Sequence, residues 1–136
     1  MDLEKLDDLD LLTALVMGES EAEPIEGKIA VAQTVKYRKE DKRWPNTWKG
    51  AMLQKGQFDC FKQRFFRPVI IKHDWGNIVW KECKYAAWGV YNDYLRDVTG
   101  GRANLYWNPD IIEKPNWDWS KVTLLNKIEN HQFARE

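Results

Sequence analysis

The stretch from Leu9 to Glu23, LDLLTALVMGESEAE, organises the rest of the chain and is followed directly by Pro24. Its apolar residues recur at helical spacing and form one stripe, Leu12, Leu15 and Val16. Glu19 falls on the same stripe, three residues past the last of them. Proline disfavours α geometry at the residue before it. The pattern therefore predicts a helix that ends just after Glu19, near the edge of a hydrophobic core.

A carboxylate on the inward face of a helix has a recognisable chemical use. Desolvation there disfavours the ionised form and raises the pKa, so that a glutamate can donate a proton near neutral pH. Glu19 is therefore a candidate general acid. The same pattern also fits an ordinary acidic residue of the N-terminal segment whose head reaches water.

The length of 136 residues predicts one domain, 1–136, with a single core. Lys plus Arg equals Asp plus Glu at 21 each, so the charge balance gives no general reason to expect a nucleic-acid partner. Basic residues are nevertheless concentrated between Lys36 and Arg67. A polyanion binder remains an alternative there, and steeply salt-dependent DNA affinity would reveal it.

Cysteine and histidine usage argues against a metal site. Cys60 and Cys83 lie in no metal-ligand spacing and are expected to be reduced and packed, although a disulfide between them stays open. His73 and His131 are the only histidines and form no helical His-x-x-x-His pair. We expect no metal and no cofactor, which disfavours a metal-dependent amidase or peptidase.

The N-terminal segment predicts the compartment. Acidic residues interrupt it, so it contains no positively charged region followed by an apolar run. No apolar stretch in the chain is long enough to span a membrane. We expect a product with no signal peptide and no stable membrane insertion.

Aromatic residues are abundant, with eight Trp, five Tyr and five Phe. Flat aromatic faces suit the apolar faces of sugar rings or bases, although most aromatics in a small domain belong to the core. Trp107, Trp117 and Trp119 lie among turn residues and are the better candidates for exposure.

Periodicity predicts three more helices. One is opened by Pro24 and runs to about Arg38; a short one has Asn46 or Thr47 as N-cap and is ended by Gly56. A long one spans about 77–96, and its small residues Ala86 and Ala87 would permit close approach of a neighbouring helix. Residues 57–67 have no clear period and are predicted to form a loop, with a hairpin as an alternative.

The C-terminal part favours β structure. Leu105-Tyr106-Trp107 lies between two turns and predicts a short strand. Residues 122–125 and 127–133 predict two more short strands or a frayed tail. The expected fold is α+β, mainly helical, with a small antiparallel β element.

Several segments resemble the spore-cortex-lytic (SleB-like) cell-wall hydrolase family. The stretch 18–24, GESEAEP, followed by EGKIAVA at 26–32, is similar to that family's glutamate signature. Further marks follow in family order: Trp44-Pro45-Asn46-Thr47, Gln57-Phe58 with Cys60, Ala86-Ala87, Leu105-Tyr106-Trp107-Asn108-Pro109 and Ile128-Glu129-Asn130-His131-Gln132-Phe133. The resemblance covers nearly the whole chain from Leu11 onward.

The resemblance implies a lysozyme-like or lytic-transglycosylase-like domain that cuts the glycan strands of peptidoglycan, with Glu19 as the catalytic glutamate. The matched substrate-binding positions are Glu23, Gln57, Phe58, Tyr106 and Asn108. Gln57, Phe58, Tyr106 and Asn108 can equally be turn or core residues.

A single-carboxylate mechanism fits these positions best. Glu23 is four residues from Glu19, so while helix geometry persists it lies about 6 Å away on the same face and not across a cleft. Its charge would instead help to keep Glu19 protonated. Glu19 would protonate the glycosidic oxygen between N-acetylmuramic acid and N-acetylglucosamine, and would then accept the proton of the muramic C6 hydroxyl. A muramidase that uses water on the same glutamate, or a non-catalytic wall-binding module, remains an alternative.

The sequence also departs from the family pattern. Ser20-Glu21-Ala22 replaces the family's Ala-Arg-Gly, and Lys36-Tyr37-Arg38 replaces its Leu-Asn-Arg. In the terminal Gly-Asn-His-x-Phe-Tyr segment, Glu129 replaces the Gly and Ala134 replaces the Tyr. Spore enzymes of this type carry an export signal and wall-binding repeats that this sequence lacks. The expected context is therefore a monomeric bacteriophage endolysin that accumulates in the host cytoplasm and reaches the wall once the inner membrane is breached.

Overall fold

Four helices precede a three-stranded sheet in the part of the chain that the structure, a computed structural model, describes: residues 3–54, 58 and 78–136. The helices are α1 (Asp8–Ser20), α2 (Ile25–Glu40), α3 (Trp48–Leu53) and α4 (Ile78–Tyr91). The strands are β1 (Leu105–Trp107), β2 (Thr123–Ile128) and β3 (His131–Arg135). Short 3₁₀ turns lie at Leu3–Lys5 and Trp119–Lys121. The predicted α+β class, mainly helical with a small antiparallel sheet, is confirmed.

Helix α1 ends where its sequence predicts, and its start is capped by an aspartate. Asp7 is the N-cap, and its Oδ1 accepts a hydrogen bond from the Asp10 amide at 2.7 Å. The predicted apolar stripe is fully buried. The helix ends at Ser20, whose hydroxyl donates to the Val16 carbonyl at 2.6 Å. Glu19 therefore lies in the last turn, as its spacing from Pro24 predicts.

The next two helices follow the predicted capping chemistry. Pro24 is the N-cap residue of α2, which runs two residues beyond the predicted end at Arg38. Thr47 is the N-cap of α3, and its hydroxyl accepts from the Gly50 amide at 3.0 Å. Helix α3 ends at Leu53, and Gly56, the predicted stop, lies outside the described residues.

Helix α4 is shorter than its periodicity predicts, and the predicted end near Arg96 is wrong. The chain leaves the helix after Tyr91, Asp93 takes a left-handed conformation with φ 60°, and the Tyr94 amide donates to the Gly89 carbonyl at 2.8 Å. Leu95 then folds back onto Gly89, where an added Cβ would lie 2.5 Å from its Cδ1. Leu95 lies at a helix-like spacing in the sequence, but it is outside the helix and packs against its surface.

The core lies between α1, α2 and α4, which pack on one another, and Phe133 of β3 joins it. Ala86 and Ala87 are fully buried there, as expected of residues that permit close helix packing. Cys83 is free and buried, and burial raises the pKa of its thiol to about 11; Cys60 lies outside the described residues. In the described part of the chain no helix is long and apolar enough to cross a membrane.

The sheet has the order β1-β3-β2, with both pairs antiparallel. Tyr106 is paired with Phe133, and Ile128 with His131. The last two predicted strands exist, but the predicted break at Asn126 is wrong. The turn lies at Glu129 and Asn130, where Glu129 has φ 48°, and an irregularity between Leu124 and Lys127 absorbs the register shift instead.

Close packing at Ala86 predicts a clear stability difference along α4. Ala86→Leu should lower the free energy of unfolding by about 1–3 kcal/mol, because the added side chain has no space in the core. Urea unfolding measures the change. Tyr85→Leu is the matched control, since Tyr85 is exposed on the same helix, and should stay within about 0.5 kcal/mol of the wild type. Equal losses in the two variants would contradict the packing described.

Candidate active site

Glu19 is half-buried in the last turn of α1, immediately before the buried Ser20. The chain then turns through residues 21–24 and enters α2 at Ile25. The Glu23 amide donates to the Ser20 carbonyl at 3.0 Å and so closes this turn. The position of Glu19 therefore depends on how firmly the turn 21–24 is held.

Lys28 holds this turn from the side of α2. Its side chain is only 2% exposed, and its Nζ donates to the carbonyl of Glu21 at 3.0 Å and to the carbonyl of Glu23. The Glu82 carboxylate of α4 lies 3.9 Å from the same nitrogen. A buried ammonium is costly unless it is hydrogen-bonded. Here the ammonium donates to two carbonyls of the turn that follows α1.

Glu23 holds the same turn from the side of the sheet. It is 6% exposed, and its two carboxylate oxygens accept from Asn130, at 3.0 Å from the backbone amide and 2.9 Å from Nδ2. Asn130 lies in the turn between β2 and β3. Helix geometry does not continue to Glu23, so its carboxylate serves the hairpin and does not stand beside Glu19 on a helix face. A substrate-binding role for Glu23 stays a prediction.

Tyr106 and two residues of β3 form an aromatic group next to this contact. The Tyr106 ring centroid lies 5.0 Å from that of His131 and 5.6 Å from that of Phe133. His131 Nδ1 lies 3.5 Å from Glu23 Oε1. The structure thus brings Tyr106 and Glu23 together through His131.

Arg38 brings a positive charge to the same region. Burial lowers the pKa of Arg38, and electrostatic interactions with Tyr106 and Glu19 act in the opposite direction. Its Nε donates to the Asn104 carbonyl at 2.8 Å, one residue before β1. Glu19, Arg38 and Tyr106 therefore share one electrostatic neighbourhood, which joins the end of α1 to β1.

The remaining predicted site residues fall in different places. Phe58 is 3% exposed, belongs to the core and lies 4.8 Å from the Arg38 guanidinium. Asn108 is half-buried, and its Oδ1 accepts from the Asp110 amide at 2.9 Å, which organises the turn after β1. Gln57 lies outside the described residues. Contact of these residues with a substrate stays a prediction.

The three tryptophans predicted to be exposed are half-buried against one another. Their ring centroids are separated by 5.4–5.6 Å, and Trp119 donates its indole N–H to the Pro115 carbonyl at 3.0 Å. Lys114 Nζ lies 4.7 Å from the centroid of Trp119. They pack as a small cluster of their own, which accounts for part of the unusual aromatic content.

Three residues of this region were not among the predicted site residues: Lys28, Arg38 and Asn130. Lys28 carries no sequence signal for its contacts, and Asn130 had only the weak signal of keeping the Asn in the family's terminal segment, because each partner is reached only through the fold. Arg38 had a weak signal, since it keeps the arginine of the Leu-Asn-Arg segment to which the family resemblance pointed.

Among residues 3–54, 58 and 78–136 no group of three or more His, Cys, Asp or Glu side chains could hold a metal ion.

Comparisons with known proteins identify the family of the chain. The family model described as Cell Wall Hydrolase matches residues 22–134, a span that begins three residues after Glu19. Two Bacillus cereus proteins, each named spore cortex-lytic enzyme, are 28% identical over 130 residues. The alignments cover 94% of this chain and 44% of each relative, so the chain spans less than half their length.

Two solved structures share the fold. The catalytic domain of the germination-specific lytic transglycosylase SleB from Bacillus anthracis has a TM-score of 0.74 and 28% identity, covering 94% of this chain and 93% of that one. The catalytic domain of the Bacillus cereus SleB protein gives 0.72 and 29%, covering 94% and 89%. The chain belongs to the cell wall hydrolase family, as the resemblance of its sequence segments predicted.

The contact between Glu23 and Asn130 predicts a stability cost. Asn130→Ala removes the Nδ2 donor and leaves one oxygen of a buried carboxylate without it, so the free energy of unfolding should fall by about 1–3 kcal/mol. Urea unfolding measures this. Asn92→Ala is the control, because its amide donates to the Trp88 carbonyl in an exposed position, and it should cost less than about 0.5 kcal/mol. An unchanged midpoint for Asn130→Ala would contradict the role of this contact.

His131 predicts a pH dependence of stability. Burial lowers its pKa, and the nearby Glu23 acts in the opposite direction. Since the folded value lies below the unfolded value of about 6.5, the unfolded chain binds the proton more readily. The contribution to stability is complete above that pH and is lost as the pH falls towards the folded value. His131→Gln should therefore flatten the fall in unfolding free energy between about pH 7.5 and 5.5. Equal slopes in the wild type and the variant would contradict this origin.

Proposed function

We propose that this chain cuts the glycan strands of peptidoglycan between N-acetylmuramic acid and N-acetylglucosamine, as a lytic transglycosylase that forms 1,6-anhydromuramic ends. Membership of the cell wall hydrolase family supports the substrate class. The likeness to a catalytic domain described as a germination-specific lytic transglycosylase supports the reaction type. The observation that carries the proposal is the half-buried Glu19 at the end of α1, in the electrostatic neighbourhood of Arg38 and Tyr106.

In the proposed reaction Glu19 acts first as an acid and then as a base. Its protonated carboxyl gives a proton to the glycosidic oxygen, the bond from that oxygen to muramic C1 breaks, and positive charge develops at C1. The muramic C6 hydroxyl oxygen then bonds to C1 and gives its proton back to the Glu19 carboxylate. Glu19 ends as it began, and the reaction consumes no water.

The environment of Glu23 supports a mechanism with one carboxylate. A nucleophilic second acid would have to face the scissile bond from the other side, with an oxygen available to C1. Both oxygens of Glu23 accept hydrogen bonds from Asn130, and the side chain is almost fully buried. We assign Glu23 to holding the turn behind Glu19, and its contribution to substrate binding would be indirect.

Gln57, Phe58, Tyr106 and Asn108 complete the proposed binding groove. Tyr106 lies in β1, and Asn108 directly follows the strand at the start of the next turn. Aromatic and amide groups suit the apolar faces and the acetamido and hydroxyl groups of amino sugars. Phe58 is buried and would contribute indirectly, by packing against Arg38.

We also propose that the enzyme acts as a monomeric bacteriophage endolysin, held in the host cytoplasm until the inner membrane is breached. The chain corresponds in extent to the solved SleB catalytic domains, which supports a unit able to cut glycan by itself. Expression in bacterial cytoplasm should leave cells intact until a membrane-permeabilising agent is added, and turbidity should then fall rapidly. Lysis without that agent would contradict the proposal.

Glu19→Gln should reduce glycan cleavage at least about 100-fold, because the amide cannot donate or accept the proton. The measurement is mass spectrometry of the products from purified peptidoglycan, with pull-down on the same material to measure binding. Glu113→Gln, an exposed glutamate in the loop after β1, is the control and should cleave as the wild type does.

The products distinguish the proposal from its alternatives. Anhydromuramic ends from the wild type and their loss in Glu19→Gln support the transglycosylase. Reducing ends would identify a hydrolytic muramidase on the same glutamate. Binding without any cleavage would identify a wall-binding module, and cleavage undiminished by Glu19→Gln would overturn the assignment of Glu19.

A further inference from the structure

Lys28 is a buried lysine that connects the turn after α1 to the first turn of α2. Its backbone amide donates to the Pro24 carbonyl at 3.1 Å, which fixes the start of the side chain. Its Nζ donates to the carbonyl of Glu21 at 3.0 Å and to the carbonyl of Glu23. The side chain therefore reaches back over the start of its own helix, and one residue ties the turn 21–24 to α2.

Burial of this ammonium has a free-energy cost that space filling does not explain. Transfer of a charged group from water to the protein interior is unfavourable, and the residue is only 2% exposed. The Glu82 carboxylate lies 3.9 Å away and is about half exposed, so solvent screens its attraction. An apolar side chain of similar length would fill the same space without that cost. What the ammonium adds is its pair of hydrogen bonds to the turn.

The end of a helix is the part of its backbone that is least restrained. The last four carbonyls lack intrahelical donors, and helix termini open at little cost in free energy. Glu19 lies in this last turn of α1. The carbonyl of Ser20 accepts from the Glu23 amide at 3.0 Å, and the carbonyl of Glu23 accepts from Lys28. Loss of the contacts of Lys28 would thus release the segment that directly follows Glu19.

We propose that Lys28 is a positioning residue of the active site, which restrains the last turn of α1 and so keeps the Glu19 carboxyl aligned with the glycosidic oxygen. The inference rests on the proposed role of Glu19 as acid and base. Proton transfer needs the two heavy atoms about 3 Å apart, and a displacement of about 1 Å can reduce the rate about 100-fold. Lys28 acts through the backbone of the turn and not by contact with the substrate.

Three variants separate hydrogen bonding from charge and from packing. Lys28→Met and Lys28→Gln have side chains of the same length, but only the Gln amide keeps two N–H donors. Lys36→Met is the matched control, because it is the same substitution on the same helix, and the partner of Lys36 is the exposed Asp93. Thermal unfolding of each variant reports whether the fold is retained and sets the temperature of the assays.

The direct readout is hydrogen–deuterium exchange of the Glu23 amide, followed by NMR. This amide closes the turn in the wild type, so its exchange reports how often the turn opens. Lys28→Met should accelerate its exchange about 10-fold, while amides in the middle of α2 keep their rates. Lys28→Gln should recover most of the protection, and Lys36→Met should exchange as the wild type does.

The catalytic readout is kcat and KM on soluble, uncross-linked glycan strands. A misaligned Glu19 transfers its proton more slowly but leaves the binding groove intact. Lys28→Met should therefore lower kcat about 10- to 100-fold and leave KM within about twofold of the wild type. Lys28→Gln should restore kcat to within about fivefold, because hydrogen bonds and not the charge hold the turn. A purely stabilising role would leave both parameters unchanged in folded protein.

The outcomes keep this inference and the proposed function apart. Unchanged exchange of the Glu23 amide in folded Lys28→Met, or faster exchange with an unchanged kcat, would overturn the role of Lys28 even if Glu19→Gln stops cleavage. A folded Lys28→Gln that loses more than about 10-fold in kcat would overturn it as well, and this variant is the test should Lys28→Met not fold. Cleavage undiminished by Glu19→Gln would overturn the proposed function, whatever the exchange of the Glu23 amide.

Discussion

The hydrogen bonds between the Glu23 carboxylate and Asn130 are the contact on which the rest of the site depends. They join residues 107 positions apart in the sequence and attach the β2–β3 hairpin to the turn between α1 and α2. A carboxylate with this little exposure is stable only when its oxygens are hydrogen-bonded. The helices and the sheet are therefore held together next to Glu19, and Lys28 fixes the same turn from the opposite side.

Local chemistry predicted most of the elements. The end of α1 followed from an apolar stripe and a proline, Thr47 was one of two predicted N-caps, and β1 was predicted residue for residue. Both errors have non-local causes. Leu95 lies at a helical spacing although the chain has already turned, because it packs back on Gly89, and the last hairpin turns at Glu129 and Asn130, where Asn130 binds the distant Glu23.

The site was harder to predict than the fold. Glu19 could be proposed from its place on an inward stripe, because that place is a property of one helix. Arg38 and Asn130 act through partners on other elements, and no periodicity shows which elements will meet. The role expected for Glu23 assumed a continuing helix; once the helix ends at Ser20, its carboxylate is directed to the hairpin.

The strand order β1-β3-β2 has a consequence for the order of assembly during synthesis. The central strand β3 follows both of its neighbours in sequence, so neither β1 nor β2 can pair before β3 has left the ribosome. The helices of the core are made first, and their packing is possible once α4 has followed α1 and α2 out of the ribosome. The turn behind Glu19 gains its last attachment only with Asn130. An incomplete nascent chain would thus carry a folded helical core with an unfinished active site.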